Sequence, residues 1–208
     1  KLYECYVTKG LINSRIGNNK ESINNFNYII NNAKENNPSK GRAYVNIGNI
    51  YADLSEYDSS LIFYEKSIAV FEIINDNKSK AGVLNNIGTI YNDLGEFDKA
   101  IEYYTKSQKA NETINNKAGA AAAVGNIGII YYYQSNIERA IEYIKKSLDI
   151  YKEINKMDKV ANTLNNLAAM YSQIDKMDEA IECFEESSSI YEKMNHKAGM
   201  ALMAQNSA

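Results

Sequence analysis

Asn86-Ile87-Gly88-Thr89-Ile90-Tyr91 is one of four copies of a single phrase. Upstream it stands as Asn46-Ile47-Gly48-Asn49-Ile50-Tyr51. Downstream it returns as Asn126-Ile127-Gly128-Ile129-Ile130-Tyr131 and as Asn166-Leu167-Ala168-Ala169-Met170-Tyr171, always after a step of 40 residues. A second pattern keeps the same step through Ser60-Leu61, Ala100-Ile101, Ala140-Ile141 and Ala180-Ile181. Self-similarity at a fixed period is the mark of a repeat architecture.

Each unit reads as two amphipathic helices. In the third, Leu84, Ile87, Gly88, Tyr91 and Leu94 fall at helical spacing on one apolar face. After a break at Gly95-Glu96, Phe97, Ala100, Ile101, Tyr104 and Ile114 form a second stripe. The small residues at Gly48, Gly88, Gly128 and Ala168, and at Ser60, Ala100, Ala140 and Ala180, mark where the two helices cross at close range. Neither helix can bury its stripe alone, so neighbouring units must stack. Upstream, Gly10 aligns with Gly48, and Ser22-Ile23 with Ser60-Leu61, at a spacing of 38, with Pro38 in the exit turn of this shorter unit. The chain therefore reads as one all-α array of five antiparallel helix pairs, at about 3–40, 41–80, 81–120, 121–160 and 161–200. Asn206 keeps the step from Asn166, which points to a partial capping helix at 198–208. That helix stops mid-pattern and the first residue is not Met, so the chain reads as a piece of something larger.

Composition removes most chemistry. A net charge of −3 from 23 basic and 26 acidic residues offers no field for a nucleic-acid backbone. No apolar run approaches the roughly 20 residues that a bilayer-spanning helix needs. One histidine, His196, and two distant cysteines, Cys5 and Cys183, supply neither a metal set nor a Cys-His pair, and no disulfide is expected between them. With no convincing strand there is no phosphate-cradling loop after one, so no cofactor is expected. Glu182, Glu185 and Glu186 lie on a second helix and read as a solvated face. The expectation is a chain that binds and does not catalyse.

A small residue three before a tyrosine, followed by alanine-plus-aliphatic heading a second helix, resembles the tetratricopeptide repeat. The usual period is about 34 residues. The longer second helix here, through Phe71-Glu72-Ile73-Ile74 and Tyr151-Lys152-Glu153-Ile154, and the Asn before the apolar-small pair are similar to the variant in kinesin light chains, Pins-type adaptors and Rap-type peptide sensors. The Asn- and Tyr-rich wording also resembles arrays ahead of bacterial histidine kinases or helix-turn-helix regulators. HEAT-type repeats share the period but not the Gly-x-x-Tyr and Ala-Ile pattern. The resemblance implies a right-handed α-solenoid whose first helices line a concave, peptide-binding groove.

At about 100° per residue, the face of each first helix opposite its core stripe can be read directly. In the second unit it carries Arg42, Asn46, Asn49 and Asp53, and in the third Asn86, Thr89 and Asp93 beside Gly82. The fourth offers Asn126, Ile129 and Tyr133 beside Ala122; the fifth, Asn162, Asn166 and Gln173 beside Ala169. The chain holds 28 asparagines, so an isolated one carries no signal, but a 40-residue register at Asn46, Asn86, Asn126 and Asn166 does. A carboxamide donates and accepts at once, so such a ladder could grip a peptide backbone, or could tie neighbouring first helices together. Tyr132 and Tyr133 replace Ala52-Asp53, Asn92-Asp93 and Ser172-Gln173 of the sibling units. They read as a partner anchor, with sideways packing on an adjacent repeat the alternative for Tyr132. Arg42 could meet a partner carboxylate, and Asp53 and Asp93 a basic group. The carboxylate clamp of chaperone-binding relatives is not expected, because Arg42 is followed by Gly82, Ala122 and Asn162.

These residues point to a scaffold holding a protein or peptide segment. A sensory module of a larger bacterial signalling protein, with an attached kinase or DNA-binding domain, is the alternative. A third reading is a self-assembly unit stacking end to end through Met200, Met203 and Ala204, so the expected state is a monomer or an end-to-end dimer. The two thiols favour a cytoplasmic setting, and a sensor kinase would allow a periplasmic one.

Overall fold

The protein is described from a computed structural model covering residues 1–194. His196, Met200, Met203, Ala204, Asn206 and the expected helix at 198–208 lie outside the described residues. Those residues form ten α-helices and no strand. They run α1 (Leu2–Arg15), α2 (Asn19–Asn32), α3 (Pro38–Asp53), α4 (Tyr57–Ile73) and α5 (Asn77–Asp93). Then come α6 (Phe97–Thr113), α7 (Lys117–Tyr133), α8 (Ile137–Glu153), α9 (Met157–Gln173) and α10 (Met177–Lys193). The chain divides into two compact units, the first ending at Ala110 and the second beginning at Asn111.

The turns show a finer period than the repeat. A left-handed residue recurs every 20 positions, at Ser55, Asn75, Gly95, Asn115, Ser135, Asn155 and Asp175. Each closes the preceding helix in the same way. At the first, Ser55 N–H donates to Ala52 O at 2.8 Å and Glu56 N–H to Tyr51 O at 2.8 Å, which satisfies carbonyls the helix would otherwise leave open. The following residue then caps the next helix, as Asp76, Asn116 and Asn136 do with their side chains. Part of the asparagine excess is thus turn chemistry. Pro38 does not sit in the turn as expected. It is the first residue of α3, where its fixed φ and missing N–H cost nothing, and Asn37 caps it from outside.

Within the pairs whose first helix carries a glycine at the crossing, that glycine faces a bulky residue sixteen positions on. A Cβ on Gly48 would lie 2.7 Å from the Tyr64 ring, one on Gly88 2.7 Å from Tyr104, and one on Gly128 2.9 Å from Ile144. The crossing expected there is therefore real, and glycine is what permits it. The buried arc of α5 is wider than the expected stripe. Val83 and Ile90 join Leu84, Ile87 and Gly88 inside, because α5 is packed by neighbours on more than one side. Leu94 is a correction: it lies in the turn after α5 and is 43% exposed.

A buried serine register went unread. Ser107, Ser147 and Ser187 each donate to the carbonyl 26 residues earlier in the partner helix, Ala81, Ala121 and Ala161, at 2.8–2.9 Å. The phrase-ending tyrosines lie against a ring twelve residues later: Tyr51 stacks on Phe63 at 5.5 Å and Tyr91 on Tyr103 at 5.3 Å, and Tyr131 meets Tyr143 tilted at 5.3 Å. At the equivalent place after Tyr171 the ring is replaced by Cys183, which is free, as is the exposed Cys5.

Candidate functional site

The candidate residues fall on α3, α5, α7 and α9, the first helices of their pairs, and none of the fourteen is buried. In the first unit, α3 carries Arg42 and Asp53 exposed and Asn46 and Asn49 half-buried, while α5 carries Asn86 half-buried and Thr89 and Asp93 exposed. Asn46 Nδ2 donates to Arg42 O at 2.8 Å, within its own helix. Asn49 Oδ1 accepts from Tyr64 Oη at 2.7 Å and from Asn86 Nδ2 at 3.4 Å, so this amide joins α3, α4 and α5. Burial lifts the Tyr64 phenol above its ordinary value, which keeps it a donor. Thr89 Oγ1 lies 3.1 Å from Tyr104 Oη in the equivalent position.

Between α1, α3 and α5 opens a cavity of about 370 Å³. Val7, Leu11, Val45 and Val83 line its apolar part, with Arg42 and Asn46 among its polar groups. Gly82 opens it further, since a Cβ there would meet nothing within 4 Å.

In the second unit, α7 carries Asn126, Ile129 and Tyr132 half-buried and Tyr133 57% exposed. On α9, Asn162, Asn166 and Gln173 are exposed. Tyr132 packs against the buried core of this unit, and its hydroxyl accepts a hydrogen bond from Gln173 Nε2. Tyr133 meets Tyr132 edge-on, with ring centroids 6.1 Å apart. Asn162 Oδ1 accepts from Tyr191 Oη at 2.5 Å. Two depressions of about 240 and 270 Å³ lie between α7 and α9, and Ile129 and Asn166 line both. Ala122 and Gly125 open the first of them, and Tyr133 walls the second.

The pairing of position 49 with position 64 was not read from the sequence, although its signal was present. Polar Asn49 and Thr89 stand fifteen residues before Tyr64 and Tyr104, whereas apolar Ile129 and Ala169 stand before Ile144 and Phe184. Among the described residues no three His, Cys, Asp or Glu side chains gather as a metal site. No helix of the described residues is long and apolar enough to cross a membrane.

Residues 39–113, 79–153 and 119–193 each match the sequence model of the tetratricopeptide repeat, in windows offset by one unit. The chain belongs to the tetratricopeptide repeat family. No curated protein sequence matches it. Among solved structures this tetratricopeptide array is similar to aspartyl phosphate phosphatase F from Bacillus subtilis, at 16% identity and a TM-score of 0.87, over 97% of this chain and 54% of that one. It is similar to the Rap conjugation gene regulator of plasmid pLS20, solved with the Phr* peptide, at 15% identity and a TM-score of 0.74, over 97% and 56% of the two chains. A putative kinesin light chain from Podosopora anserina matches at 13% identity and a TM-score of 0.71, over 93% and 96% of this chain and that. This chain spans about half of each of the first two proteins. At these identities the likeness shows the fold, an all-α solenoid of tetratricopeptide type.

Proposed function

We propose that this tetratricopeptide array is a protein-interaction module that holds an extended peptide or protein segment against the exposed face of its first helices. Tetratricopeptide repeats are protein-interaction modules, and the finer reading rests on one observation. Cavities open between successive first helices in both units, and Arg42, Asn46, Asn86, Asn126, Ile129, Tyr133, Asn162 and Asn166 line them. An extended segment has unpaired N–H and C=O groups along its length, which amides can meet, and alternate side chains that shallow apolar pockets can take. Such a module needs no catalytic group of its own.

The test is retention of protein from a source-organism lysate by the wild type and by an Asn86→Ala, Asn126→Ala, Tyr133→Ala triple variant of equal helix content. Partner retained by the wild type and lost by the folded variant supports the reading. Equal retention by both removes it.

A second reading makes the array the sensory part of a regulator. It is favoured by the likeness to a conjugation gene regulator solved with a peptide, of which this chain spans 56%. In that reading the same faces bind the signal, and an attached domain responds.

A further inference from the structure

Cys5, Lys9 and Ile12 on α1 hold the register of residues that every later first helix buries. Their counterparts are Ala43, Ile47 and Ile50 on α3 and Val83, Ile87 and Ile90 on α5, and the equivalents on α7 and α9 are buried too. The second helix of the preceding pair covers them: Phe26 and Ile29 of α2 pack with the α3 set, Tyr64 and Phe71 of α4 with the α5 set. On α1 the same face is open, with Leu2, Cys5 and Lys9 exposed and Ile12 54% exposed. On α10 the complementary stripe is open. Met177 and Ile181 are exposed where Tyr57 and Leu61 of α4 are half-buried in the core of their unit.

The two open faces differ in charge. Within α10 there are six carboxylates and one lysine, and within α1 two cations and one carboxylate. The stacked helices also give the pairing. A second-helix residue meets the one 26 positions later on the following first helix: the Glu65 charge acts on Tyr91, and Lys145 Nζ lies 5.5 Å from the Tyr171 ring centroid. In that register Glu185 comes to the place held by Asn13, and Lys9 lies one helical turn before Asn13. Lys9 stands where the later first helices carry Ile47, Ile87, Ile127 and Leu167, so this face asks for an acid as well as an apolar stripe. Neither Lys9 nor Glu185 is in an ion pair among the described residues.

We propose that α1 of one copy of this chain docks on α10 of a second copy, as each later first helix docks on the second helix before it. Cys5 and Ile12 cover the stripe of Met177, Ile181 and Phe184, and Lys9 pairs with Glu185. A second copy is the occupant because each face supplies the helix and the charge that the other lacks. The contact is heterologous, so every docked copy still offers one face of each kind and association grows with concentration.

The experiment is light scattering and sedimentation equilibrium of the whole 208-residue chain from micromolar to millimolar concentration. The weight-average mass should rise with concentration. Lys9→Glu alone and Glu185→Lys alone should each weaken association about tenfold or more, and the two together in one chain should restore it. Both side chains are exposed, so the variants keep the wild-type helix content. Ile12→Asp should hold the chain as a monomer. Cys5 should react fast with Ellman's reagent while the chain is monomeric and more slowly as it associates. A mass of one chain at every concentration overturns the assignment, and it is the result if residues 195–208 cover α10 instead. Association that survives Ile12→Asp, or a double variant that stays as weak as the single ones, overturns it as well. None of these outcomes touches the peptide-holding reading, whose test uses other residues.

Discussion

Tyr64 on α4 donates its phenolic hydrogen to Asn49 Oδ1 on α3 at 2.7 Å, and Asn86 on α5 reaches the same oxygen at 3.4 Å. One carboxamide on the candidate face therefore also serves the stack. Leaving a half-buried hydroxyl without its acceptor costs about 1–2 kcal/mol, whereas removing both partners costs little. Asn49→Ile should destabilise the protein by that amount, and Tyr64→Phe should cost clearly less in the Asn49→Ile background than alone. A double-mutant cycle by urea denaturation measures the coupling, and additivity of the two changes would refute it.

Glycine to alanine should have opposite signs at two positions of the same helix. At Gly88 the new Cβ would come within 2.7 Å of the Tyr104 ring. Overpacking of that kind costs about 1–3 kcal/mol, more than the roughly 1 kcal/mol of helix propensity gained. At Gly82 nothing lies within 4 Å, so the propensity gain stands alone and the variant should be about 0.5–1 kcal/mol more stable. Thermal melts of the two variants, side by side, decide it.

The turn residues offer a second stability test. Ser135 holds φ at 59° and Gly95 at 73° in equivalent turns. A side chain in that region is strained by about 1 kcal/mol, and glycine is not. Ser135→Gly is expected to raise stability by about 0.5–1 kcal/mol, and Gly95→Ala to lower it by about 1 kcal/mol. If both change the melting point in the same direction, the turn account fails.

Acid should act at Asp76. Burial alone would raise its carboxyl, but the two Ser79 bonds and the Arg42 and Lys78 charges outweigh it and hold the group below its ordinary value of 3.8. A carboxylate depressed in the folded state stabilises the fold fully above its unfolded pKa, and that contribution vanishes as pH falls through the lower folded value. The contribution is therefore present from about pH 4 upward and lost below it. Ser79→Ala should raise the Asp76 titration midpoint seen by carboxyl NMR, and its destabilising effect should shrink as the pH drops to 2.

The thiols should differ in reactivity. Burial raises the Cys183 thiol, and Glu186 and Glu182 add to it, so its thiolate is scarce at neutral pH. Cys5 is exposed. Ellman's reagent at pH 8 should consume one thiol fast and one slowly, with the fast phase removed by Cys5→Ser. Loss of the slow phase instead would reverse the assignment.

The 40-residue register of Asn-apolar-small and Ala-Ile was legible in the chain because helical periodicity and repeat length are local properties, set by which positions must be apolar or small. The 20-residue turn register and the buried serines were equally present in the sequence, yet a period alone does not say which carbonyl a hydroxyl will meet. Leu94 shows the limit of the helical stripe: its spacing continues the pattern, but the helix has already ended, so its side chain stays in solvent. The face carrying Arg42, Asn46, Asn126 and Asn166 could be named from helix geometry. Which of its amides are already engaged could not, because Asn49 meets Tyr64 and Asn86 only after three helices have packed. Likewise the openings at Gly82 and Gly125 depend on what the neighbouring helix brings to the space. The order of residues determines the helices and their repeat, and the packing of one helix on the next decides which side chains remain to bind.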